Sequence, residues 1–92
     1  MRLLTEAEIE AEFGTTAGWE RTGDAIIRTM RFADFAHAML YVGAVAHLAE
    51  VANHHPDITI SWNTVTLTLS THSAGGLTEA DFALARQIGG LP

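Results

Sequence analysis

Two periodicities alternate along this chain, and the points where they change mark its elements. Ile58, Ile60 and Trp62 alternate with Thr59 and Ser61, and Val65, Leu67 and Leu69 alternate with Thr64, Thr66, Thr68 and Ser70. A period of two gives each run one apolar and one hydroxylated face, so both read as strands, joined tightly around Asn63. A sheet with one polar face is antiparallel and covered by helices on one side only. Upstream, Trp19–Thr22 and Ala25–Arg31 are shorter β-prone runs separated by Gly23-Asp24, a pair that signals a hairpin. Ile26-Ile27 interrupts strict alternation there.

Helical spacing fills the rest. Thr5 and Glu8 stand at capping-box separation, so a short acidic helix over Glu6 to Phe13 is expected, ended at Gly14. Asp34 is a good N-cap for the longest element, from Phe35 to about Asn53. Phe35, Met39, Val42, Ala46 and Ala49 recur at steps of three or four and form its predicted stripe. Leu40 and Leu48 broaden that stripe beyond what one covered face requires, so part of this helix is expected to pack on another subunit. Pro56 stops it, and His55 before the proline is biased towards extended geometry. Gly75-Gly76 makes a turn, and Thr78 caps a last helix from Glu79 to Ile88. The order αββαββα predicts an α+β fold, a four-stranded antiparallel sheet with helices on one face, as a single domain over residues 1–92.

Composition narrows the function. A chain of 92 residues buries a modest core, which favours oligomers. It holds no cysteine, so disulfides, thiolate nucleophiles and cysteine-ligated zinc are excluded. Net charge is −6, with five arginines and no lysine, which disfavours direct binding to nucleic acid. No apolar run is read as reaching membrane-spanning length, and the N-terminus turns acidic too quickly for a signal peptide, so no membrane partner and a cytoplasmic location are expected.

The stretch that carries chemistry runs from Glu50 to Asp81. Glu50 and His54 lie four apart and are expected on one face of the long helix's last turn. His55 and Pro56 follow where the chain leaves it, and His72 lies where the fourth strand runs into the glycine turn. A carboxylate and three imidazoles can gather at one sheet edge, equipment for proton transfer near neutral pH. Other readings stay open on the residues alone. His54 can simply meet a helix dipole, His55-Pro56 can be a helix stop, His72 a solvated strand end, and Asp81 a partner in the cap of Thr78. Glu50, His54 and His72 can also be read as a two-histidine, one-carboxylate metal set. His37 and His47, within the long helix, read as structural or interfacial.

Taken together, Glu50, His54-His55-Pro56, Trp62, His72 and Asp81 resemble the signature of the pterin-4a-carbinolamine dehydratase family, with every spacing intact. Thr71 to Thr78 with Leu84-Ala85, Asp34-Phe35 with Ala46 and Ala49, and more loosely Leu4-Thr5 and Gly18-Trp19, extend the likeness over essentially the whole chain. Ser73 departs from it, standing where relatives often carry an acid. The resemblance implies dehydration of a 4a-hydroxytetrahydropterin to quinonoid dihydropterin, in tetrahydrobiopterin metabolism, without cofactor or metal. It implies His54 and His72 as general acid and base, and His55 as the residue that orients the pterin. Glu50 would orient the histidine pair, Asp81 would support the pocket, and Pro56 and Trp62 would contribute to binding. The resemblance leaves the alternative of a non-catalytic pterin-binding or dimerisation module serving transcription factors, and the excess apolar surface of the long helix, with the open strand edges, predicts a homodimer or homotetramer.

Overall fold

A computed structural model describes residues 1–92. Its elements are α1 (Glu6–Glu12), β1 (Glu20–Thr22), β2 (Ala25–Arg31), α2 (Phe35–Ala52), β3 (Asp57–Ser61), β4 (Thr64–Leu69) and α3 (Glu79–Gly89). All strand pairs are antiparallel and the spatial order is β1-β2-β4-β3, so the two hairpins meet through β2 and β4. The expected order and architecture are those observed.

The β4 alternation carries over directly. Val65, Leu67 and Leu69 are fully buried beneath the helices, while Thr64, Thr66 and Thr68 are half-buried on the open face. Across the ladder Leu69 faces Ile26, so that of the Ile26-Ile27 pair Ile26 is fully buried and Ile27 lies on the open side. Phe82, Leu84, Ala85 and Ile88 of α3, Val45 and Ala49 of α2, and Ile9 of α1 complete one core cluster. Phe13, in a 3-10 turn that extends α1, meets Phe82 edge to face at 5.5 Å. Each fully buried aliphatic side chain contributes about 1.5–3 kcal/mol.

Three expectations need correction. The α2 stripe is rotated. Ala38, Val45 and Ala49 are buried with Tyr41, Val42 and Leu48 packed beside them, whereas Phe35, Met39 and Ala46 face outward with Leu40 and Val51. A helix apolar on both sides carries little pattern to say which side meets the sheet. That same composition makes α2, at 18 residues and mean hydropathy 1.3, long and apolar enough to cross a membrane by length and composition alone, contrary to the reading that no run is. One of its faces is sealed against the sheet and α3. Finally, Trp62 is not a strand residue. It occupies the two-residue β3–β4 turn at φ 53, with 70% of its surface exposed.

Candidate active site

The chain leaves α2 through Asn53, which adopts the left-handed conformation (φ 50, ψ 42) that ends many helices. The N–H of Asn53 bonds Glu50 O, and the N–H of His54 bonds Ala49 O at 3.1 Å, which closes the last turn. This reversal takes His54 off the helical path. Glu50 and His54 therefore do not share a face, and Glu50 meets His55 instead, carboxylate to Nε2 at 2.5 Å. Both side chains of that pair are more than half exposed, so its contribution to stability is small.

His54 goes inward to a different acid. Its Nε2 lies 2.6 Å from Oδ1 of Asp81, which is fully buried; the His54 side chain is 15% exposed. Asp81 is held from the other side as well. Its Oδ2 accepts from the Thr78 backbone N–H and from Thr71 Oγ1, both at 2.9 Å. Thr71 and Thr78 hydroxyls lie 2.8 Å apart, and Thr78 Oγ1 caps α3 through the N–H of Ala80. Asp81 thus performs the capping role and the imidazole-holding role at once, with one oxygen for each. Buried carboxylates are costly unless bonded, and three donors surround this one. Nε2 of His54 is thus committed to Asp81, and no protein group bonds its Nδ1.

Thr71 is the residue of this hydrogen-bonded chain that the sequence reading did not single out, and its signal lay in the β4 register. It continues the odd-numbered series Val65, Leu67, Leu69 onto the covered side, where a hydroxyl needs a partner. Thr71 is indeed buried, and it also closes an isolated bridge with Gly76. The turn between them carries His72, exposed and one residue from the Thr71–Asp81–His54 chain. Gly75 is at φ 79 in this turn, a conformation glycine adopts without strain.

His54, His55, Pro56, His72 and Asp81 therefore lie towards one end of the sheet, where β3 begins and β4 ends. Trp62 lies at the other. The five residues of β3 separate it from Pro56, six residue steps or roughly 20 Å at 3.3 Å per residue. The proposed metal set of Glu50, His54 and His72 is not assembled either: no three His, Asp or Glu side chains converge in metal-binding geometry. His37 bonds Asp34 at 2.6 Å near the start of α2, well apart from the other histidines.

Fold and site define an α+β protein that presents a carboxylate-held histidine at one end of a half-covered antiparallel sheet. The family model described as pterin 4 alpha carbinolamine dehydratase matches residues 2–91. The chain belongs to that family. A protein of Thermomicrobium roseum, provisionally named a pterin-4-alpha-carbinolamine dehydratase, is 53% identical over 99% of this chain and 98% of its own length. One from Roseiflexus castenholzii with the same provisional name is 55% identical, covering 94% and 92%. Among solved structures, the transcriptional coactivator/pterin dehydratase from Brucella melitensis matches with a TM-score of 0.90 at 36% identity over 96% of each chain. A pterin dehydratase-like protein identified as a RuBisCO assembly factor in the alpha-carboxysome matches at TM-score 0.66 and 25% identity, over 80% of this chain and 88% of that one.

Proposed function

We propose that this protein is a hydro-lyase that dehydrates 4a-hydroxytetrahydropterin by histidine acid–base catalysis. In that reaction the C4a–O bond breaks and the hydroxyl leaves as water with an added proton. The adjacent ring N–H gives up its proton, and the new C=N bond completes the quinonoid dihydropterin. One proton must be delivered and one removed at neighbouring atoms, which suits two imidazoles approaching from different elements.

The observation that carries this reading is the His54–Asp81 pair. A buried carboxylate, itself fixed by Thr71 and Thr78, sets the ring orientation of His54 before substrate arrives. His54 Nδ1 and His72 are then the exchanging groups. His55, braced by exposed Glu50 rather than buried, is assigned to orienting the pterin, with Pro56 shaping the corner. The reaction as written consumes no cofactor or metal, and the cytosol is its proposed setting.

A second reading is favoured by the outward apolar side of α2 together with the coactivator and assembly-factor relatives: a partner-binding module. Self-association into a dimer or tetramer through that side is part of the proposal under either reading.

The test is dehydration of synthetic 4a-hydroxytetrahydropterin, followed by absorbance, with variants checked for folding by circular dichroism. Single His54→Ala and His72→Ala changes are expected to cost about 10²–10⁴ in rate at most, since the other histidine serves. The double variant should fall to the uncatalysed rate, and His55→Ala should raise KM more than it lowers kcat. Parental rates in the double variant would remove the enzyme reading and leave the partner-binding one.

A further inference from the structure

Arg28 lies on the helix-covered side of the sheet. In β2 it shares the parity of Ile26 and Met30, and it stands opposite Leu67, which is fully buried. Glycine backbone flanks its guanidinium: a Cβ built on Gly18 would stand 3.6 Å from Nε, and one on Gly89 3.8 Å from Nη1. Both are ordinary contact distances, so the two glycines pack directly against it.

A half-buried cation on an apolar face is costly unless it is paired. Three of the other arginines are paired: Arg2 with Glu8, Arg21 with Glu6, and Arg86 with both Glu12 and Glu79. Arg31 has no partner, but it is exposed on the open face, where water serves. The Arg28 side chain makes no ion pair or hydrogen bond with any protein group, although eleven acidic residues were available in the chain. Its guanidinium instead lines a groove of about 480 Å³ between the C-terminal end of α3 and the segment after α1. Thr15-Thr16-Ala17, Ala85-Arg86 and the Gly89-Gly90 backbone form the remaining walls. That volume is in the range of small-ligand sites, about 300–1,000 Å³.

We propose that this groove binds a small oxyanion, a carboxylate or a phosphate, gripped in bidentate fashion by Arg28. The planar guanidinium fork matches two oxygens of such a group, and a ligand there would supply the charge the protein withholds. Arg86 is neutralised by its two glutamates, so at the rim it and Thr15 offer hydrogen bonds rather than net charge. The groove is separate from the candidate active site. Asp81 lies in the first turn of α3 and Gly89 at its last residue, roughly 12 Å away at 1.5 Å per residue.

The test is amide NMR of the full chain, titrated with sodium phosphate and, separately, sodium acetate, ionic strength being held constant with sodium chloride. Saturable shifts centred on Gly18, Gly89 and Gly90 are expected with at least one anion, and the tighter of the two identifies the source. Arg28→Gln should weaken binding at least about tenfold, while Arg31→Gln should leave it unchanged. Should Arg28→Gln fail to fold, Ala17→Phe adds bulk at an exposed wall of the groove, and it too should abolish the shifts. Non-saturating shifts, or equal affinity in the folded Arg28→Gln variant or in Ala17→Phe, would overturn the proposal.

Discussion

Thr71 shows how much one hydroxyl can decide. It donates to the oxygen of Asp81 that does not meet His54, so it determines where the other oxygen lies. Thr71→Val keeps the shape and removes the donor, leaving a buried carboxylate with one bond fewer, at a cost of about 1–3 kcal/mol in stability. If His54 acts as proposed, kcat should fall about tenfold, the equivalent of roughly 1.4 kcal/mol of lost positioning, with KM little changed. Chemical denaturation and the dehydration assay on the same preparation separate the two effects. Trp62 illustrates the opposite case, a residue whose backbone is under strain. A bulky side chain at φ 53 costs about 1–2 kcal/mol relative to its ordinary conformation. Trp62→Gly should therefore raise the unfolding midpoint, since the exposed indole gives up little packing. An unchanged or lower midpoint would show that the ring makes compensating contacts.

At the scale of elements, α1 is clamped by charge. Glu8 bonds Arg2 and the Thr5 N–H, Glu6 bonds Arg21, and Arg86 ties Glu12 to Glu79 of α3. The Arg2 guanidinium, and then the Thr5 N–H, hold the Glu8 carboxyl down to about 2 from an ordinary 4.5. Glu6 is lowered in the same way by Arg21. A depressed carboxyl pKa stabilises the folded form above the unfolded value, and that contribution is lost as pH falls through the folded one. Attachment of α1 should thus be intact above about pH 4.5 and weaken towards pH 2. The amide resonances of Thr5 and Ile9 should report this loss. Glu8→Ala should remove most of the acid dependence between those limits, and an identical titration in the variant would refute the assignment. At the start of α2, Asp34 is lowered by the His37 backbone N–H and then by its imidazole, so this cap persists in mild acid for the same reason.

For the whole molecule, the decisive feature is the outward side of α2. Phe35, Met39, Leu40 and Val51 are all exposed there, and Leu40 and Val51 retain more than 70% of their surface. Covering such a patch is the physical motive for self-association. Light scattering should give a mass at least double 9.9 kDa at micromolar concentration. Leu40→Glu should shift the protein towards monomer without changing its circular dichroism spectrum. A monomeric parent would remove the motive.

What the chain by itself determined is what depends on near neighbours in sequence. Alternation in β4, the boxes at Thr5-Glu8 and Thr78-Asp81, the Asp34 cap and the spacing of His-His-Pro are local regularities. They were sufficient for the element order, the half-covered sheet and the family. Tertiary structure decided what local regularity leaves free. The left-handed Asn53 diverted His54 from Glu50 to Asp81, twenty-seven residues away, a pairing that helical spacing argued against. Which face of α2 would be buried was also open, because both faces are apolar and only the shape of the sheet and α3 chooses between them. The turn that placed Trp62 beyond its strand and the helix end that left Arg28 facing a groove belong to the same group. Each depends on where two distant segments come to rest, and no period along the chain records that.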